Sequence, residues 1–194
     1  VPPSLLVKWA GLSPNIKPCI LRLKPQLTRM PLPIQRFDDP FLPFGKAVIN
    51  ATRDYVAGYL FSFPAYLAIG AAGIVALERT IAYVQGEGRQ LVILDLPAAT
   101  PDYAAACSDQ ALNADGLTVA SPDLAEAYAG AGIVPFMPSG NRLAAQRNAL
   151  FPAEELPSFM ILGDEILYAG NGEDFQQQIT TAVIRTLNEM ETGC

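Results

Sequence analysis

The sequence predicts an α/β fold built on a parallel sheet, open or closed into a barrel of about six βα units, with an extended Pro-rich N-terminal arm. Three observations lead there. After residue 44, apolar runs of strand length alternate with helical stretches, the signature of a parallel sheet. The 194 residues fall short of the roughly 250 that a full eight-unit barrel uses. Nine prolines crowd into residues 1–44, and proline fixes φ and removes a backbone donor.

Residues 1–44 are therefore expected to form an extended arm holding one strand at 19–23, and residues 45–194 a single barrel-like domain. In that domain, runs at 59–63, 91–96, 116–120, 133–137 and 159–162 have strand length and turn-like flanks. Helices are predicted over 46–57, 73–84, 102–112, 123–129 and 174–190. The last carries Phe175, Ile179, Val183 and Leu187 at four-residue spacing, with Glu173 and Asp174 at its positive N-terminal end. No repeat or low-complexity tract stands out beyond local alanine richness.

Composition narrows the function. Apolar residues make up 51% of the chain and charged residues only 16%, below the usual quarter. A surface poor in charge fits coverage by partner proteins. The net charge of −6 and an isoelectric point near 4.6 argue against nucleic acid, whose phosphates are bound by clustered Lys and Arg. Cys19, Cys107 and Cys194 make neither a metal motif nor a disulfide framework. They read as two buried apolar residues and one exposed terminal thiol, in a reducing intracellular setting. No uninterrupted apolar run is long enough for a membrane span. The chain begins at Val1, which leaves open a cleaved targeting segment, so bacterial cytoplasm and an organellar complex both fit.

The reactive residue types are the ones missing. There is no histidine, and no lysine after Lys46. Without histidine, Thr118, Ser121 and Ser139 have no partner to activate them as nucleophiles. Asp164, Glu165, Glu173 and Asp174 form an acidic group without metal-ligand spacing and read as solvated or helix-capping carboxylates. Gly70, Gly73, Gly86 and Gly88 lack the context of a phosphate cradle and read as turn and packing glycines. No cofactor and no metal are expected.

Several segments carry a family resemblance. Phe44-Gly45-Lys46-Ala47-Val48-Ile49-Asn50-Ala51-Thr52-Arg53-Asp54 is similar to FNKAIIDATKD, residues 66–81 to YEALGSEGLEALEKTI, and Ile166-Leu167-Tyr168-Ala169-Gly170 with Gly172-Glu173-Asp174-Phe175 to ILYAGSGEDF. These motifs resemble orotidine 5′-phosphate decarboxylase in its longer bacterial form, over roughly residues 16–140 and 159–190. The resemblance implies a TIM (β/α)8-barrel derivative, incomplete at about six βα units, in a family whose catalysis rests on an alternating array of lysines and aspartates at the strand ends. It also implies a homodimer where the family interface is kept.

Laid on that pattern, the scaffold reads through and the chemistry does not. The family's active-site lysine in YKP falls on Leu60. In Asp95-Leu96-Pro97-Ala98-Ala99-Thr100-Pro101-Asp102, set against DAKRGDIGNT, Asp95 survives, Pro97 replaces the lysine and Thr100 the second aspartate. A short gap would bring Asp102 into that last role. Lys24 stands where the family's ribose-binding Asp belongs, and Asp164 where an Arg grips the phosphate. The PGxGAQGG phosphate loop has no counterpart, and a deletion between about residues 139 and 158 would account for the missing units.

The implied function is a catalytically inactive decarboxylase-like protein serving as a structural or interaction subunit of a larger complex, with Asp95 and Asp102 as remnants. The alternatives are a decarboxylating lyase, its phosphate site rebuilt from Arg142, Arg147 or N-terminal arginines, and a regulatory module that binds a nucleotide.

Overall fold

The computed structural model describes residues 4–87, 89–98, 100–107, 111–146 and 156–192. Strands β1 (Lys17–Leu23), β2 (Val56–Ser62), β3 (Leu91–Asp95), β4 (Gly116–Thr118), β5 (Val134–Ser139), β6 (Arg142–Ala145) and β7 (Phe159–Leu162) close into a barrel in chain order. Five neighbouring pairs, including the β1–β7 closure, are parallel. The two pairs made by β6 are antiparallel.

The expectation of a barrel short of eight βα units holds, and with seven strands the barrel nevertheless closes. All six predicted strands are present, and β6 fills the gap that the missing units would leave. It doubles back from β5 through a two-residue turn, Gly140–Asn141, between the paired residues Ser139 and Arg142. Gly140 adopts φ +59°, the positive value that tight hairpin turns require and that glycine takes at little cost.

The first part of the expected extended arm is corrected. Ser4–Ala10 is a helix, α1. Its Leu5 is fully buried, and Trp9 meets Phe159 edge to face at 5.3 Å. Leu5, Leu6, Trp9 and Leu12 recur at near-helical spacing, so coiling puts them on one side, against the N-terminal ends of the strands. The helix closes the barrel floor. Burial of that apolar face outweighs the local bias of the surrounding prolines. Beyond β1 the chain makes two 3₁₀ turns, Leu27–Arg29 and Ile34–Arg36, before α2 (Phe41–Thr52).

The other helices are α3 (Phe63–Leu67), α4 (Ala71–Glu87), α5 (Tyr103–Cys107), α6 (Asp164–Leu167) and α7 (Phe175–Thr192). The helix expected over 123–129 is instead a pair of 3₁₀ turns, Pro122–Leu124 and Glu126–Ala131. Winding of that kind rises about 2.0 Å per residue against 1.5 Å for an α-helix, so a short connection reaches further.

Strand alternation separates two cores. Ile20, Leu60, Ile93, Val134, Phe136 and Phe159 fill the barrel interior. Leu21, Tyr59, Phe61, Val92, Leu94 and Leu117 point outward, under a shell that includes Phe44, Leu77 and Val183 of α2, α4 and α7. Among the described residues no helix is long and apolar enough to cross a membrane.

Candidate functional site

The C-terminal ends of the parallel strands are where a barrel of this kind places its chemistry. Period-two alternation carries polar side chains there, each two residues beyond an inward-facing position; beside Ser62, which ends β2 in register with Asp95, three of them form one group. They are Arg22 on β1, Asp95 at the end of β3 and Thr118 at the end of β4. Thr118 Oγ1 donates to Asp95 Oδ1 at 3.2 Å and accepts from the Leu96 amide at 2.8 Å. Arg22 Nε lies 3.7 Å from Asp95 Oδ2, too far for a hydrogen bond, so the two form an ion pair. Among the described residues that Nε is the buried side-chain polar atom left without a hydrogen-bond partner.

Sequence reading singled out Asp95 and missed Arg22. The available signal was a lone charge at an alternate position of the otherwise apolar run Cys19-Ile20-Leu21-Arg22-Leu23. Arg22 pairs in register with Leu60, and Leu60 with Ile93. Leu60 is fully buried in the apolar interior. The mouth is therefore an arginine–aspartate–threonine group above a floor of leucine and isoleucine.

The remaining positions of interest are scattered. Pro97 is exposed in the turn after β3. Thr100 is exposed, its carbonyl accepting from Tyr128 Oη. Asp102 is exposed in the turn before α5; burial above all, then Cys107 and the Asp102 charge, raises the Tyr128 phenol. Lys24 is exposed on the rim, and its carbonyl accepts from Tyr168 Oη at 2.9 Å. Arg147 and Cys194 lie outside the described residues, as does Gly88, and so does most of the stretch 139–158 beyond residue 146. Arg142 is on β6, exposed.

Two carboxylates of the acidic group are tied to arginines of the loop after β1. Asp164 pairs with Arg29, whose guanidinium lies 4.0 Å over the Tyr168 ring. Glu173 pairs with Arg36 at 2.8 Å. Glu165 accepts from the Gly163 amide at 2.8 Å, and Asp174 from Gln178 at 2.7 Å. The Leu32 amide donates to Asn171 O at 2.9 Å, joining the same two loops. These contacts fasten one rim loop to another. Among the described residues no cluster of three or more His, Cys, Asp or Glu side chains could hold a metal ion.

Cys19 and Cys107 are buried free thiols. Burial pushes both up to about 11, at Cys19 against the opposing pull of Lys17 and Arg142. At pH 8 that leaves about a hundredfold less thiolate than an ordinary cysteine. In a Cys194→Ser chain, Ellman's reagent is expected to react at least about a hundredfold slower with the native protein than with the urea-unfolded one. Comparable rates would show that the two sites are open.

No model of a known protein family matches the chain. Curated relatives do. The chain is 31% identical to orotidine 5′-phosphate decarboxylase of Flavobacterium johnsoniae over 104 residues, covering 50% of this chain and 38% of that one. It is 31% identical to the Herpetosiphon aurantiacus decarboxylase over 113 residues, covering 57% and 42%. With the Thermomicrobium roseum enzyme it shares 43% over 58 residues, covering 30% and 21%. The chain thus spans about two fifths or less of the length of these relatives.

Among solved structures, a Streptomyces avermitilis protein assigned to orotidine 5′-phosphate decarboxylase superposes with a TM-score of 0.54 at 20% identity, covering 71% of this chain and 53% of that one. The UMP synthase of Leishmania donovani gives 0.51 at 22%, covering 69% and 28%. These two speak for the fold. In sequence the chain is similar to orotidine 5′-phosphate decarboxylases over part of their length, and in fold it is similar to a solved structure assigned to that enzyme.

Proposed function

We propose that this relative of the orotidine 5′-phosphate decarboxylases is catalytically inactive and serves as a structural or interaction subunit of a larger protein complex. The observation that carries the first half is the mouth itself, where the family's lysine position holds buried Leu60 and the nearby cation is Arg22. Loss of CO₂ leaves a carbanion that must take up a proton. A guanidinium keeps its proton at any ordinary pH and cannot serve as that acid. The four lysines of the chain are placed elsewhere. Lys8 is on the barrel floor and Lys17 pairs with Glu191. Lys24 stands on the outer rim and Lys46 on the outer face of α2. A phosphate dianion would also meet carboxylates already held by arginines, Asp164 by Arg29 and Glu173 by Arg36.

The subunit half is supported by the low charge content and by apolar side chains left in solvent. Leu27, Leu32, Phe37, Leu67 and Val75 are each more than two fifths exposed.

Two measurements test the reading. Incubation with carboxyl-labelled orotidine 5′-phosphate is expected to release no CO₂ above the no-protein rate, and calorimetry to find no micromolar binding. Turnover would sink the inactive reading, and binding without turnover would favour a nucleotide sensor. Endogenous protein isolated under mild conditions is expected to run well above the mass of its own denatured polypeptide. A free monomer or a simple homodimer would overturn the subunit role.

A further inference from the structure

We infer that the outer groove between α2 and α4 is the docking site for an acidic, apolar segment of a partner protein. The inference rests on the subunit reading and names what such a partner would present.

The groove follows from one close approach. Gly45 on α2 lies against Thr80 on α4, and a Cβ at Gly45 would sit 2.7 Å from Thr80 Cγ2. Thr80 is fully buried, with its hydroxyl donating to the Ala76 carbonyl at 2.6 Å. This seam draws the two helices together and throws the next residues outward, Lys46 on one side and Arg79 on the other. A groove of about 420 Å³ opens there, lined by Leu42, Lys46, Arg79, Ala82 and Tyr83.

Its charge runs against that of the molecule. The chain carries −6 overall, yet the two charged residues lining this groove are both cationic. Most other described cations are engaged: Lys8 with Asp115, Lys17 with Glu191, Arg22 with Asp95, Arg29 with Asp164, Arg36 with Glu173, Arg185 with Glu189. Among the described residues neither Lys46 nor Arg79 has a salt-bridge partner. Lys46 Nζ lies 5.0 Å over the Tyr83 ring, whose hydroxyl is fixed by Asn50 Oδ1 at 2.7 Å. Val75, one helical turn before Arg79, is 42% exposed. An apolar channel flanked by two cations that lack a carboxylate partner among the described residues, and floored by an anchored tyrosine, complements a segment bearing apolar side chains between carboxylates.

The probe is a labelled helix-forming peptide with two leucines four residues apart and a glutamate on either side of them. Fluorescence anisotropy on the whole chain would follow it, beside the same peptide with lysines for glutamates and another with serines for leucines. The acidic apolar peptide is expected to bind, and to weaken as salt rises. K46E/R79E should bind it at least about tenfold more weakly, while K24E/R185E, with the same change in net charge, retains it. Both pairs are exposed, and circular dichroism confirms the fold.

Equal binding of the lysine peptide, or unchanged binding by K46E/R79E, would overturn the inference. So would self-association of the wild type that K46E/R79E abolishes, since the occupant would then be a second copy. If endogenous K46E/R79E protein still runs in the large assembly, the groove proposal fails and the subunit reading survives. If the wild type runs free, the subunit reading fails, and with it the physiological partner named here.

Discussion

Asp115→Ala is expected to lower folding stability by about 3–5 kcal/mol, the cost of breaking a buried ion pair from one side. Asp115 is 2% exposed and stands immediately before β4. Its Oδ2 accepts from Lys8 Nζ at 2.7 Å and from the Val92 amide at 2.8 Å. Its backbone reaches both sides, donating to Val92 O at 2.8 Å and accepting from the Val134 amide at 3.1 Å. One carboxylate therefore ties β3 and the floor helix α1 to the start of β4. Alanine would leave the Val92 N–H without its acceptor, inside the barrel floor, and the Lys8 ammonium without its counter-charge.

The conservative variants divide that effect. Asp115→Asn keeps an oxygen for Val92 but drops the charge, and should fall between alanine and wild type. Lys8→Met removes the cation and leaves a carboxylate that is 3% exposed, so its loss should approach that of Asp115→Ala. Urea unfolding checks this through a lower midpoint at constant slope. A loss within about 1 kcal/mol for Asp115→Ala would mean that the pair is no more than a surface contact.

The same contact marks the limit of what the sequence exposes. The parallel strands were legible because buried strands leave continuous apolar runs between turn residues. Strand β6 was not, since Arg142-Leu143-Ala144-Ala145 carries neither β-branched nor aromatic residues; its one signal was Gly140-Asn141 after an apolar run. Helix α1 was hidden by Pro2 and Pro3 beside it, although Leu5, Leu6, Trp9 and Leu12 have near-helical spacing. At the mouth, Leu60 and Asp95 could be placed by resemblance, because they sit in matched segments. Arg22 is set beside Asp95 only by the pairing of β1 and β2 with β3. The partner of Asp164 is 135 residues away, and no local pattern encodes such a pairing.

Placing lysines at the two positions where the resemblance would have them is the sharper test of the proposed inactivity, and Leu60→Lys with Pro97→Lys is expected to yield no decarboxylation. Position 60 is fully buried and lies in register between Arg22 and Ile93. A lysine there would stand beside a guanidinium, so the array would read cation against cation instead of alternating. Position 97 is exposed in a turn, where an ammonium would be solvated. Leu60→Lys alone should cost about 3–5 kcal/mol at pH 7, because burial and Arg22 both oppose its charge.

The pH dependence has a definite sign. Burial would hold the folded-state pKa of that lysine well below the ordinary value of about 10.4. Between the two values the unfolded chain binds a proton that the folded chain does not, so stability rises with pH there. Relative to wild type, the variant should regain about 1.4 kcal/mol per pH unit through that window and reach a constant deficit below it. A Leu60→Lys protein as stable as wild type at pH 7, or one that released CO₂ from orotidine 5′-phosphate, would mean that Asp95 rather than Arg22 governs position 60. The barrel would then still be within two substitutions of its relatives' chemistry.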